Sequence, residues 1–142
     1  MIRVGLRCFL ALSDVEILAR CLLGEAEGEP EIGKMAVACV IRNRVHSRKF
    51  PNSYAEVILA NKQFSCFNPG SPRLKVMSNP SRFAAYEQCK RIAKSVIMDS
   101  AVDITCGADH YLNEETVIHR PTWADLYIKT CKIGHHTFYI ST

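Results

Sequence analysis

Apolar and polar positions alternate at helical spacing through the first half of this chain and at shorter, extended spacing near its end. Ser13-Asp14-Val15-Glu16 forms a capping box, with Ser13 as N-cap and Glu16 placed to return the hydrogen bond. Val15, Leu18, Ala19, Leu22 and Leu23 follow at helical intervals, which predicts a first helix of about three turns. Gly24 marks its weakening and Gly28 its end. Pro30 suits the first turn of a second helix, where its missing N–H costs nothing. That segment, Ile32 to Val45, is apolar nearly all round and should be the buried central helix, with Arg42, Asn43 and Arg44 polarising its C-terminal end.

Phe50-Pro51-Asn52 is a break, and Ser53 to Glu56 repeats the capping-box pattern to start a short third helix through Ala60. Gln63 to Phe67 alternates polar and apolar residues and stops at Asn68-Pro69-Gly70, which reads as a short strand and a turn. Residues 68–82 are rich in proline and serine and are expected to be a loop, with Arg73 and Lys75 solvated. Phe83 to Met98 is helical again, carrying one apolar stripe. His110 to Asn113 is a second candidate strand, Pro121 breaks the chain before Trp123, and Lys132 to Ile140 looks like one closing strand. Met1 to Leu12 is expected to be a leading strand or loop. With no repeat, low-complexity tract or linker, residues 1–142 read as a single α+β domain, mostly helical, with a small antiparallel sheet.

Composition narrows the setting. A chain of 142 residues can bury a real core. No apolar run approaches the ~18 residues of a membrane span, so stable membrane insertion is not expected. The apolar run Cys8 to Leu12 is short for a secretion signal and lacks a small-residue cleavage site, which points to synthesis in a cytoplasm. The seven cysteines contain no CxxC pair, against zinc-knuckle and thioredoxin-like readings, and their odd number fits a reducing compartment. Cys21, Cys39, Cys89 and Cys131 sit among apolar residues and read as small core side chains. The net charge of +4 suits an anionic polymer such as cell wall, but the basic residues are scattered, so nucleic acid is not the expected partner. A monomer is expected.

The chemistry concentrates in Leu22-Leu23-Gly24-Glu25-Ala26-Glu27-Gly28-Glu29-Pro30. Three carboxylates alternate there, where one helical pattern stops and the next begins. The negative end of a helix dipole and apolar neighbours both favour the neutral acid and raise a carboxyl pKa. A carboxylic acid still protonated near neutral pH is what cleavage of a glycosidic bond needs, and Glu25 is the candidate. The plain alternative is a solvated acidic helix end.

Four blocks carry a resemblance. They are Gly24-Glu25-Ala26-Glu27-Gly28-Glu29-Pro30; Ala36-Val37-Ala38-Cys39-Val40-Ile41-Arg42-Asn43-Arg44-Val45; Phe50-Pro51-Asn52-Ser53 followed by Gln63-Phe64-Ser65-Cys66; and Gly107-Ala108-Asp109-His110-Tyr111-Leu112-Asn113, closed by Ile133-Gly134-His135-His136-Thr137-Phe138-Tyr139. No one block is specific, but four in this order are. From about Leu18 to Ile140 the chain resembles the catalytic domain of the SleB-type, spore cortex-lytic family of bacterial cell-wall hydrolases. The resemblance implies a lysozyme-like α+β fold and cleavage of the β-1,4 bond between N-acetylmuramic acid and N-acetylglucosamine. It implies Glu25 as the essential acid and a lytic transglycosylase product, the 1,6-anhydromuramic end. Two departures stand out: Glu27 where the family commonly has arginine, and Asp109-His110 where it is usually more apolar or aromatic.

Ordinary glycosidases need two carboxylates, ~5 Å apart for retention or ~6.5–9.5 Å for inversion. Gln63 to Phe67 supplies no second acid, so a single-acid mechanism is expected, with Asp109 the acid to watch. Gln63 and Ser65 could bond acetamido groups, Tyr111 and Trp123 could stack on sugar faces, and His110 could join them; the ordinary alternatives are strand surface and core. His135 and His136, placed on opposite faces of a strand, do not suggest a metal site, and no cofactor is expected. The partner is then the glycan strand of peptidoglycan. Rival functions are a muramidase of the same fold that adds water, and a catalytically silent wall-binding or virion structural domain. The chain's anatomy suggests a bacteriophage endolysin, made in the host cytoplasm and reaching the wall after membrane permeabilisation.

Overall fold

Ser13 opens the first helix through its hydroxyl, which accepts the Glu16 backbone N–H at 3.2 Å while the Glu16 carboxylate returns to Ser13. Helix α1 spans Asp14–Ala26 in the computed structural model, which describes residues 4–60, 63–98 and 100–142. The helix does not weaken at Gly24. A Cβ there would stand 2.7 Å from Met77 Sδ and 2.9 Å from Cys66 Sγ, so this glycine is a point of close packing and not a stop. Pro30 caps α2, Glu31–Val45, from just outside its first turn. Ala36 to Ile41 are six consecutive residues without exposed surface, which makes α2 the central helix. Each large aliphatic side chain buried there contributes roughly 1.5–3 kcal/mol.

The polar end of α2 is turned inward. The Arg42 guanidinium donates to the carbonyls of Val96 and Ala101, Asn43 Nδ2 to Asp103 Oδ2 and the Ala108 carbonyl, and Arg44 Nε to the Asp109 carbonyl at 2.7 Å. These bonds fix the chain that enters the sheet. Ser53 caps α3, Tyr54–Leu59, as its spacing predicts. In α5, Ala85–Ile97, the buried stripe Tyr86, Cys89, Ile92, Ala93 and Val96 packs on α1 and α2.

Four expectations are corrected. Gln63 to Phe67 is not a strand: Gln63 sits in a bend and Ser65–Phe67 is one 3-10 turn. A strand would send Cys66 and Phe67 to opposite faces, whereas both are buried, Phe67 edge-on to Phe9 at 5.5 Å. Residues 68–82 are not a bare loop but hold α4, Leu74–Ser78, and the 3-10 turn Pro80–Arg82; Lys75 is exposed, while Arg73 is not solvated but bonded to α1. The leading segment is the 3-10 helix Val4–Ala11, with Leu6 and Phe9 in the core; Met1, Ile2 and Arg3 lie outside the described residues. The closing strand is a hairpin of β2, Ile128–Ile133, and β3, His136–Ile140.

That hairpin and β1, His110–Leu112, form an antiparallel sheet in the order β1-β3-β2, with Tyr111 opposite Phe138. A short helix α6, Trp123–Leu126, precedes β2. The fold is thus α+β, mainly helical with a three-stranded sheet. All seven cysteines are free thiols; Cys21, Cys39, Cys66 and Cys89 are buried, and Cys131 partly so.

Candidate active site

Glu25 stands in the last turn of α1, where unpaired carbonyls gather, and its carboxyl is largely withdrawn from water. Burial pushes its pKa up. The thiol and backbone N–H of Cys66 and the charge of Arg73 oppose the rise without cancelling it. Cys66 reaches Glu25 because its 3-10 turn packs against Gly24, the residue without a side chain.

Glu25 borders a cleft of about 490 Å³. Gln63, Ser65, His110, Tyr111 and Trp123, drawn from a bend, a 3-10 turn, β1 and α6, line the same cleft. The structure therefore gathers all six residues singled out by the sequence. Arg44 and Phe64 complete the wall and were missed. A signal for Arg44 existed: a helix apolar on every face leaves no solvated side for an arginine. Its Nη1 donates to Gln63 Oε1 at 2.9 Å, and its guanidinium lies 4.9 Å from the Phe50 ring centroid and 5.7 Å from that of Phe64. Gln63 is thereby turned so that its amide nitrogen remains for a ligand.

The aromatic wall is a built stack. Trp123 lies parallel to Tyr127 at 5.6 Å and edge-on to Tyr139 at 5.3 Å, with the His110 ring 4.8 Å from Trp123. Burial lowers the pKa of His110 despite its bond to Asp109, so the ring is neutral at neutral pH. Asp109 does not line the cleft with Glu25. Its carboxylate takes the Ser141 backbone N–H at 2.8 Å, the Ser141 hydroxyl and His110 Nδ1 at 2.9 Å. Burial alone would raise its pKa, but these bonds outweigh it and hold the group below the usual carboxylate range. Asp109 is an anchor for β1 and the chain end.

Glu25 also borders a second arm of about 310 Å³, lined by Ala26, Gly28, Glu29, Asn113, His135 and His136. His135 lies in the hairpin turn and not on a strand face, so the two histidines converge instead of pointing apart. Glu29 accepts the His135 backbone N–H at 3.2 Å and bonds its ring, while His136 Nδ1 lies 3.2 Å away, too poorly aligned for a hydrogen bond. Gly134, at φ +60, gives Glu29 room, since a Cβ there would stand 3.1 Å from Oε1. Among the described residues no three His, Cys, Asp or Glu side chains are grouped to hold a metal ion, and no helix is long and apolar enough to cross a membrane.

The family model described as Cell Wall Hydrolase matches residues 28–139. The spore cortex-lytic enzyme of Bacillus cereus is 33% identical over 128 residues, which take 89% of this chain and 44% of that protein. The spore cortex-lytic enzyme of Bacillus subtilis is also 33% identical over 128 residues, with 37% of its length covered. The chain thus spans less than half the length of these curated relatives. An alignment covering 89% of this chain necessarily includes Glu25, which the family model's match, starting at Gly28, leaves out. Among solved structures, the catalytic domain of the germination-specific lytic transglycosylase SleB from Bacillus anthracis superposes with a TM-score of 0.68 at 30% identity, covering 91% of this chain and 97% of that one. The catalytic domain of the Bacillus cereus SleB protein gives 0.65 at 31% identity, covering 89% and 88%.

Proposed function

The chain belongs to the cell wall hydrolase family, and from that premise we propose that it degrades peptidoglycan by cutting the β-1,4 bond between N-acetylmuramic acid and N-acetylglucosamine. Glu25 is the acid. The observation that carries this reading is a carboxyl whose pKa is raised by burial, placed at a helix end where two arms of a polar, aromatic-lined cleft meet. Glu25 gives its proton to the glycosidic oxygen as the bond from muramic C1 breaks and an oxocarbenium-like centre forms. The carboxylate left behind takes the proton of the muramic C6 hydroxyl, whose oxygen closes on C1. The product is a 1,6-anhydromuramic end, Glu25 is protonated again, and no water is consumed.

The choice between this and hydrolysis turns on a second carboxylate. Glu29, unremarked as a partner in the sequence, does border the cleft, but both its oxygens are committed to the hairpin turn and its histidines. It is therefore not placed to activate a water, which favours the single-acid route. Mass spectrometry of digested peptidoglycan tests the choice: anhydro ends, lighter by one water, are expected, and a majority of reducing muramic ends overturns it. Glu25→Gln should lower lysis of permeabilised cells by roughly 10²–10⁴-fold; wild-type lysis by this variant would remove Glu25 from the mechanism and favour a silent wall-binding role. The endolysin setting rests on the sequence's anatomy alone and takes no support from the relatives named above, which are spore cortex-lytic enzymes.

A further inference from the structure

Helix α4 and the 3-10 turn Pro80–Arg82 border a separate cavity of about 490 Å³, as large as the cleft beside Glu25 and sharing no residue with it. Its floor is apolar, made by the buried Val76 and the half-buried Leu74 and Phe83. Its rim is basic and polar, with Lys75, Asn79 and Arg82 all exposed. No Asp or Glu lines it. Among the described residues neither cation has a carboxylate partner, and the Asn79 side chain bonds to nothing. The other arginines beside α4 are committed: Arg73 to Glu27 and the Leu23 carbonyl, Arg20 to the Met77 carbonyl. We infer that this cavity binds an acidic peptide, the stem that hangs from the muramic units of the glycan, with Lys75 and Arg82 taking its carboxylates. The choice of this occupant rests on the reading of the chain as a peptidoglycan-cleaving enzyme.

Position and chemistry carry the argument. Met77, which does not line the cavity, packs α4 onto the helix of the acid: a Cβ on Gly24, next to Glu25, would stand 2.7 Å from Met77 Sδ. The cavity is thus separated from Glu25 by little more than the width of one helix, ~10–12 Å with its side chains. A stem of four residues, extended at ~3.3 Å per residue, spans about 13 Å and so reaches across α4. The stem joins the lactyl group through an amide, so its negative charge lies farther out, on the free carboxylates of its D-glutamate, its diamino acid and its terminal D-alanine. Two unpaired cations, one of them a guanidinium with the planar fork that fits a carboxylate, suit that end. The methyl groups and hydrocarbon chain of the same peptide suit the floor of Leu74, Val76 and Phe83, and its amides suit Asn79. A polymer of glycerol phosphate would bring the charge without the apolar surface.

The test is an NMR titration of the isotopically labelled full chain with the free tetrapeptide L-alanyl-γ-D-glutamyl-meso-diaminopimelyl-D-alanine. The side-chain amide signals of Asn79 and the Nε–H signal of Arg82 should move while the Trp123 indole signal stays. Lys75→Ala and Arg82→Ala should each weaken binding by up to about fivefold, the worth of an exposed ion pair. Lys75→Glu combined with Arg82→Glu should abolish it, and signal dispersion reports that each variant is folded. No movement at Asn79 and Arg82, unchanged affinity in the double variant, or an equal response to a glycerol phosphate oligomer of the same charge each overturns the site. The readout is separate from catalysis. A chain that binds the peptide but cuts no peptidoglycan overturns the function proposed above and leaves the peptide site standing; one that cuts peptidoglycan and ignores the peptide overturns the site alone.

Discussion

Arg73 Nη2 lies 2.7 Å from Glu27 Oε1 and 2.8 Å from the Leu23 carbonyl, so a cation from a distant turn closes the C-terminal end of α1. Helix α1 has no basic residue in its own last turn to meet its dipole. The glutamate at position 27 takes a partner from outside the helix, and it faces Arg73 instead of crowding Glu25.

Arg73→Ala should cost stability and shift the acid. Losing charged hydrogen bonds to two carbonyls and a carboxylate is worth roughly 1–3 kcal/mol, read as a lower midpoint in urea. Arg73 also holds the Glu25 pKa down against burial. Without it that pKa rises further, so the alkaline limb of the pH–activity profile should move to higher pH. A limb that stays in place would mean that it does not report Glu25.

Gly24→Ala should destabilise despite adding a better helix former. In an open helix interior the change gains roughly 0.5–1 kcal/mol. Here the new methyl would sit 2.7 Å from Met77 Sδ and 2.9 Å from Cys66 Sγ, and overpacking of this kind costs about 1–3 kcal/mol. Pushing Cys66 away also removes bonds that lower the Glu25 pKa, so lysis at alkaline pH should be retained longer than in wild type. Gly28→Ala is the control: nothing lies within 4 Å of its Cβ, and its melting temperature should stay near that of wild type.

The Glu29–His135 contact predicts a stability plateau with two edges. Burial would raise the Glu29 pKa, but its bonds to His135 prevail and lower it, while the same contact raises that of His135. The Glu29 contribution is complete above the unfolded carboxylate pKa of ~4.3 and is lost as pH falls through the lowered value. That of His135 is complete below its unfolded pKa of ~6.5 and is lost as pH rises through the raised value. Melting temperature against pH should therefore be highest in the weakly acidic range between them. Glu29→Gln, which still accepts the His135 N–H, should flatten both edges; unchanged edges would assign them to other groups.

What the sequence made legible follows from locality. The helices α1, α2, α3 and α5 announce themselves because capping boxes and apolar periodicity are local signals, and Glu25 is legible for the same reason, being an acid at a helix end. The 3-10 turn Ser65–Phe67 was not, because Cys66 and Phe67 are buried by residues far off in the chain, Gly24 and Phe9 among them. Strand β2 was legible only from Lys132 on, because it is an outer strand with Ile128, Lys129 and Lys132 exposed and only Cys131 and Ile133 turned to the core. The second arm of the cleft was hidden likewise, since Glu29 meets His135 only across the whole length of the fold.

Glu25→Gln should stabilise the protein while it disables the site. A carboxyl whose folded pKa is raised binds its proton more tightly in the folded state than in the unfolded one. Stability therefore falls as pH rises from the unfolded pKa of ~4.3 through the raised folded value, and the loss persists above it. Glutamine fills the same space with no charge to desolvate, so the loss is absent in the variant. Its melting temperature should exceed that of wild type by a few degrees at pH 7, and the two should converge below pH ~4. Equal melting temperatures at both pH values would mean that the Glu25 carboxylate is solvated after all, and a solvated carboxylate would be ionised at neutral pH and unfit to protonate a leaving oxygen.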